Sequence, residues 1–112
     1  MRLLHCYSSG YYRGMRSFPL DRYVVATLMR DLIAHDKKPS AFAVYLYLWS
    51  RTHGEERKTI HQSYQQLADA TGLSKSGVQL AVKELLAREL LTARRLRETD
   101  TPEYTVLRPW LG

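Results

Sequence analysis

Six side chains between residues 75 and 97 have the chemistry to bind an anionic or hydrogen-bonding partner. Lys75, Gln79 and Lys83 recur every four residues, the spacing that keeps side chains on one face of a helix. Arginines follow at positions 94, 95 and 97. Ammonium and guanidinium groups donate hydrogen bonds to phosphate and carbonyl oxygens, and a carboxamide both donates and accepts. The segment therefore predicts recognition by charge and hydrogen bonding.

The net charge of the chain favours the same kind of partner. The 17 Lys and Arg residues against 11 Asp and Glu leave a net charge of +6 and a pI near 9.7. Most of the excess lies in residues 1–38 and 74–97. Such a balance favours a polyanion, either a nucleic acid or an anionic membrane surface.

Two consecutive helices would position the cationic face. Ser63 and Gln66 have the spacing of a capping box, so a helix is predicted to begin at Tyr64. Gly72 ends this helix after about two turns, because glycine adopts the left-handed conformation of a sharp turn without steric cost. Ser74 can then cap a second helix.

The second helix has a buried side and an exposed side. Apolar spacing assigns the buried stripe to Val78, Ala81, Val82, Leu85 and Leu86. Ala68 is small enough for the two helices to cross closely, and Gly72 makes the turn between them. Val78 packs beneath that turn. The exposed side then carries Lys75, Ser76, Gly77, Gln79, Leu80 and Lys83.

Residues 66–85, QLADATGLSKSGVQLAVKEL, resemble the helix-turn-helix of the bacterial winged-helix superfamily. The likeness is strongest to domains of bacterial and phage transcription regulators and of replication initiators, and it extends over about residues 40–108. One departure is Arg88-Glu89, where such proteins often have Gly or Asn before the wing. The exact end of the second helix, expected at residue 88, is therefore open.

The resemblance implies that residues 75–88 form a recognition helix in the major groove of double-stranded DNA. Gln79 can make a bidentate contact to adenine, and either lysine can contact phosphate or guanine acceptors. Gly77 permits a close approach of the backbone, and Leu80 can meet a thymine methyl group. The predicted DNA-binding residues of this helix are Lys75, Ser76, Gly77, Gln79, Leu80 and Lys83. A solvated helix face is the alternative interpretation.

A β-hairpin, the wing, is predicted after the recognition helix. Its strands are residues 91–97 and 104–108, joined by a loop over 98–103. Arg94, Arg95 and Arg97 are expected on the first strand, within reach of phosphates or a minor groove. The loop carries Glu98, Asp100 and Glu103, which argues against its deep insertion. Contact between the strand arginines and the DNA backbone is the favoured interpretation.

Two more helices are predicted before residue 63. The first spans residues 21–35 with Asp21 as N-cap. Its apolar stripe, which is either core or a seam between two copies, is Val24, Val25, Leu28, Met29, Leu32 and Ile33.

The second of these helices spans residues 40–53, begins at a Ser40 cap and stops near Gly54. Its apolar residues, expected at the centre of the core, are Phe42, Val44, Tyr45, Leu46, Leu48 and Trp49. Residues 59–61 are predicted to form a very short strand, and Trp110 and Leu111 to fold back onto the domain.

The predicted fold class is mainly α with a small β-hairpin: a winged helix-turn-helix with a three-helix core plus an N-terminal helix. Residues 1–18 form an extended arm, either a packed tail or a DNA-contacting segment through Arg13 and Arg16. Residues 19–112 form the winged-helix domain, with the helix-turn-helix over 63–88 and the wing over 90–108.

The function expected from these features is sequence-specific binding of double-stranded DNA as a transcription regulator. A plasmid or phage replication-initiator domain, or a winged helix used for protein contacts, are the alternatives. We expect no enzyme, cofactor, metal or small-molecule ligand: Cys6 is alone, the four histidines lack metal-ligand spacing, and a Gly-rich phosphate loop is missing. A homodimer through helix 21–35 is expected as an option. No apolar run predicts a membrane span, and the expected location is the cytoplasm, beside the nucleoid.

Overall fold

The computed structural model describes residues 17–111, so the arm predicted over residues 1–18 lies almost wholly outside the described residues. The helices are α1 (residues 22–35), α2 (Pro39–Arg51), α3 (Tyr64–Thr71) and α4 (Lys75–Ala87). The strands are β1 (Ile60–His61), β2 (Leu91–Arg94) and β3 (Glu103–Val106), and 3₁₀ turns cover His53–Glu55 and Pro109–Leu111. This order of helices and a small antiparallel sheet confirms the predicted winged helix-turn-helix class.

Helix α1 buries one row of side chains. Its segments Val24–Leu28 and Asp31–His35 are π-helical, with backbone bonds that span five residues. Val24, Leu28 and Leu32 are buried against the core, whereas Val25 and Ile33 are 50% and 41% exposed. Of the two roles left open for this stripe, core applies to the row of Val24, Leu28 and Leu32, because α1 packs through a single ridge.

The side chain of Asp21 has a different partner from the one predicted. Its Oδ2 accepts hydrogen bonds from Trp110 Nε1 at 3.1 Å and from Arg108 Nη1 at 3.5 Å. Trp110 also stacks on Tyr23, with ring centroids 4.6 Å apart, so Trp110 folds back as predicted, whereas Leu111 is 62% exposed and does not. Asp21 directly precedes the first helical residue, as predicted for an N-cap, and its carbonyl accepts from the Val24 amide, but its carboxylate binds the C-terminal segment.

Helix α2 begins one residue before the predicted Ser40 cap. Pro39 occupies its first turn, which suits a proline because its fixed φ matches the helix and no N–H is needed there. The helix ends at Arg51, and the predicted stop at Gly54 lies inside the following 3₁₀ turn. Four of its six predicted core residues are buried, Val44, Tyr45, Leu48 and Trp49, whereas Phe42 and Leu46 are partly exposed.

The turn between α3 and α4 forms as the sequence predicts. Ser63 Oγ accepts from the Gln66 amide at 3.1 Å, and Gln66 Oε1 accepts from the Ser63 amide at 2.8 Å. Gly72 has φ +82°, and Ser74 Oγ accepts from the Gly77 amide at 3.0 Å. Helix α4 ends at Ala87, one residue short of the prediction, and Glu89 takes the left-handed conformation with φ 57°.

The wing is part of a three-stranded sheet with strand order β1-β3-β2. Its register pairs Leu91 with Val106 and Arg94 with Glu103. Strand β2 ends at Arg94 because a turn follows, in which the Arg97 amide donates to Asp100 Oδ2 and the Asp100 amide donates to the Arg97 carbonyl. The predicted strand over 91–97 is thus too long, and its last two arginines lie in a loop. None of the helices formed by residues 17–111 is long and apolar enough to cross a membrane.

Candidate nucleic-acid interface

The exposed face of α4 consists of two rows. Val78, Ala81, Val82 and Leu85 are buried, which turns the opposite side of the helix to solvent. By helical geometry, Ser76, Leu80 and Lys83 form the outermost row, with Lys75 and Gln79 beside it. Leu86, predicted as core, is exposed because it lies next to the second row rather than on the buried stripe. Five of the six predicted site residues of this helix thus share one solvent-facing surface, whereas Gly77 is half-buried beside it.

The wing loop lies against the N-terminal ends of α3 and α4. Lys75 and Arg95 line one cleft of about 280 Å³, together with Tyr64, Gln65 and part of the loop over residues 98–102. Arg95 Nη1 donates to the Glu98 carbonyl at 2.9 Å, which holds its guanidinium along the loop. The structure therefore places a cation from α4 and a cation from the wing at the same cleft.

Tyr104 on β3 supports the Arg95 side of the wing. Burial of its side chain raises the pKa of Tyr104 to about 12, and the positive charge of Arg95 partly opposes this rise. The phenol therefore stays neutral near pH 7, where it contributes packing beneath the loop rather than charge. Lys75 and Arg95 are the cations that line the cleft, and Glu98 and Asp100 are its carboxylates.

Arg94 belongs to a different surface from the recognition helix. It is paired in register with Glu103, which in turn is paired with His61 on β1. Arg94 lines a second hollow, of about 540 Å³, with His61, Leu96 and Glu103; Arg95 borders both hollows. Strand β2 ends at Arg94, so Arg95 and Arg97 lie in the following loop and not on the first strand as predicted. Arg97 is exposed in the loop.

Two predicted contact residues have a structural role at the start of α4. A Cβ on Gly77 would lie 3.1 Å from Ser74 Oγ, the atom that caps the helix through the Gly77 amide. Ser76 Oγ lies 3.2 Å from the same oxygen. Both residues thus support the helix N-terminus, and their contact with DNA remains a prediction.

Tyr64 and Gln65 were not predicted as site residues, although they line the cleft beside Lys75. They lie in the first turn of α3, directly after the Ser63 cap. In a helix-turn-helix, the first helix crosses the DNA backbone while the second enters the groove. The capping box was therefore the signal that could have identified them, because it positions the first turn of α3.

An ionic cluster fixes the C-terminal half of α4 to the segment after α1. The Asp36 side chain is only 8% exposed, and its oxygens lie 2.9 Å from His35 Nδ1 and 3.4 Å from Arg88 Nε. The hydrogen bond from His35 lowers the pKa of Asp36, whereas a hydrogen bond shared with Asp36 raises the pKa of Glu84. The cluster holds the orientation of α4 from the side opposite the wing.

Metal binding receives no support from the described part of the chain. No three His, Cys, Asp or Glu side chains among residues 17–111 lie close enough together to hold a metal ion. The side chains of the cleft and of the exposed α4 face include amide, hydroxyl, ammonium and guanidinium groups, and Glu98 and Asp100 add carboxylates at the cleft. These groups bind through charge and hydrogen bonds.

Comparison with known proteins identifies the family. A family model described as Helix-turn-helix domain matches residues 35–91, just over half of the chain, and covers α2, α3 and α4. The match ends at Leu91, where β2 begins, so most of the wing lies outside it. No curated protein and no solved structure matches the chain. The chain therefore belongs to the helix-turn-helix domain family, a membership that indicates DNA as its partner.

Proposed function

We propose that the protein binds double-stranded DNA with sequence preference and acts as a regulator of transcription in a bacterium or its phage. The observation that carries the proposal is the cleft in which Lys75 of α4 and Arg95 of the wing lie together. Positive charge from two elements on one side of the molecule suits a DNA backbone, which carries closely spaced phosphates. Family membership supports the same partner.

In the proposed complex, α4 lies in the major groove. Ser76, Leu80 and Lys83 form its outermost row and would approach base edges or phosphates first, with Gln79 beside them. The arginines of the wing would contact phosphates next to this groove. Lys75 and Arg95, at the junction, would hold the register of the protein on the duplex without reading sequence.

Sequence preference is tested by selecting bound sites from a random duplex pool. A bidentate contact discriminates between bases by about 1–3 kcal/mol, so Gln79→Ala should relax the preference at one position of the selected site. Lys83→Ala should weaken binding to all sequences alike, because a phosphate contact carries no sequence information. Arg57→Ala is the matched control, since Arg57 pairs with Glu55 near the end of α2. An unselective wild-type protein would contradict the proposed sequence preference.

A regulator and a replication initiator bind different parts of a genome. Mapping of the bound sites in the host distinguishes them: the proposal expects sites that overlap promoters. Binding confined to a plasmid or phage origin would instead support the initiator. A protein that binds only other proteins would give no mapped sites at all.

A second copy of the chain is the partner we propose for the exposed row of α1. Val25, Met29 and Ile33 recur every four residues along this helix, and two of them are about half exposed. Pairing of this row about a twofold axis would match the twofold symmetry of many helix-turn-helix sites. Light scattering should give twice the chain mass for the wild type and a monomer for Val25→Lys with Ile33→Lys. A monomeric wild type would rule the dimer out.

The proposed role requires binding only. We propose that the protein is not an enzyme and that it acts in the cytoplasm, at the nucleoid where its DNA target lies. No cofactor or small-molecule ligand enters the proposed complex.

A further inference from the structure

The wing carries an apolar side chain at its most exposed point. Leu96 is 86% exposed, the highest exposure among the large hydrophobic residues that the structure describes. It stands between Arg95 and Arg97, so the loop presents an apolar side chain flanked by two cations. A leucine that is left in water when a core lies nearby gains most from a partner that buries it.

The loop is braced in the conformation that exposes Leu96. Arg95 Nη1 donates to the Glu98 carbonyl at 2.9 Å. The Arg97 amide donates to Asp100 Oδ2 at 3.0 Å, and the Asp100 amide donates to the Arg97 carbonyl at 3.1 Å. At the base of the loop, the Gln62 amide donates to the Pro102 carbonyl at 3.2 Å. The exposed leucine is thus held by hydrogen bonds within the wing.

Two acidic residues of the loop are tied into the fold by hydrogen bonds from neutral donors. The Asp100 carboxylate accepts the Arg97 amide, and Glu103 Oε2 accepts from Thr59 Oγ1 at 3.0 Å. Both carboxylates therefore have partners inside the protein. Glu98 is an exposed carboxylate, and its backbone carbonyl accepts from Arg95.

We propose that Leu96 is an apolar wedge that enters the minor groove of duplex DNA, opens one base step there and bends the duplex. Apolar side chains that insert between base steps kink DNA and allow it to contact more protein surface. Arg95 and Arg97 would bind the phosphates that border this groove, so the backbone contact of the wing and the wedge occur together. The inference rests on the proposed DNA binding.

The position of Arg95 favours DNA over a lipid surface. Arg95 borders both the cleft it shares with Lys75 and the hollow that Leu96 lines. A duplex held by α4 and Arg95 would therefore run past Leu96. An anionic membrane would instead need a broad apolar surface, and the described wing offers one leucine at its tip.

The test measures bending and affinity on one duplex. Mixed-sequence DNA of about 30 base pairs, labelled at its ends for resonance energy transfer, reports a bend as a shorter end-to-end distance. Wild-type protein should bind and bend it. Leu96→Ala should bind about tenfold more weakly and leave the duplex nearly straight, because the wedge is lost while the arginines remain. Leu96→Phe, which keeps an apolar wedge, should retain the bend.

Controls separate the wedge from general effects. Leu111→Ala removes another exposed leucine, at 62%, and should change neither affinity nor bending. Thermal unfolding of Leu96→Ala should match the wild type, since the side chain is not packed. Netropsin, which occupies the minor groove, should abolish the bend on an A·T-rich duplex.

The outcomes distinguish failure of the proposed wedge from failure of the proposed DNA binding. If Leu96→Ala bends DNA as well as the wild type, the wedge is refuted while DNA binding stands. If wild-type protein fails to bind the duplex at low salt, the proposed function fails and the wedge with it. Binding to phosphatidylserine vesicles that depends on Leu96, without duplex bending, would overturn the wedge in favour of a membrane surface.

Discussion

At the scale of single residues, Asp36 and Glu84 show how a carboxylate pair can orient a recognition helix. Asp36 is nearly buried and lies close to His35, Arg88 and Glu84. Two adjacent carboxylates repel each other unless one holds a proton or a cation lies between them. Arg88 supplies such a cation, and Glu84 takes up a proton more readily in the folded state than in the unfolded chain.

Replacing Glu84 by Gln should stabilise the protein near pH 7, by about 1 kcal/mol, because the amide donates a permanent hydrogen bond to Asp36. The raised pKa of Glu84 implies that wild-type stability rises as the pH falls through that pKa towards the ordinary 4.5. The lowered pKa of Asp36 implies a loss of stability below about its ordinary 3.8. Urea unfolding across this range should show the first effect in the wild type and not in Glu84→Gln.

The matched control is Glu98→Gln, which removes an exposed carboxylate in the wing. Its unfolding curve should follow the wild type at every pH. Equal stability of Glu84→Gln and the wild type at neutral pH would mean that the Asp36 pair does not orient α4.

At the scale of elements, the features that the sequence predicted correctly are those formed between residues close together in the chain. The capping box at Ser63, the turn at Gly72 and the cap at Ser74 involve neighbours in the chain, and all three formed as expected. The exposure of Leu86 and Ile33 depends on which surfaces pack together. The spacing of apolar residues along the chain does not by itself reveal such long-range packing.

Gly72→Ala tests the turn between α3 and α4. No heavy atom lies within 4 Å of the position that its Cβ would take, so the cost is conformational rather than steric. With φ at +82°, we expect a loss of about 1–2 kcal/mol in the free energy of unfolding, measured in urea. Gly72→Asn should lose less, because asparagine tolerates this conformation better. An unchanged midpoint for Gly72→Ala would contradict the observed turn.

At the scale of the whole molecule, the C-terminal turn closes the fold. Trp110 packs on Tyr23 of α1 and stacks with Trp49 of α2 at 6.4 Å, while Asp21 receives its indole N–H. The segment before α1 and the last turn thereby join the helices that support the helix-turn-helix. The sequence predicted the return of Trp110 but not its partners, one of which, Asp21, is 89 positions away.

Asp21→Ala should loosen this closure. The loss of hydrogen bonds from Trp110 and Arg108 to a partly exposed carboxylate should cost about 1–2 kcal/mol. Tryptophan emission should shift to the red as Trp110 gains water. Asp69→Ala, on the exposed side of α3, is the control and should leave the emission unchanged.

The central claim is that the surface formed by α4 and the wing binds duplex DNA through its cations. The most direct test titrates the protein onto duplex DNA of about 30 base pairs at salt concentrations from about 50 to 200 mM. Wild-type affinity should fall linearly with salt on logarithmic axes, and combined replacement of Lys75, Lys83 and Arg95 by Ala should reduce that slope by about 1 for each phosphate contact removed. Absence of binding at low salt, or an unchanged affinity and slope in the triple variant, would contradict the account.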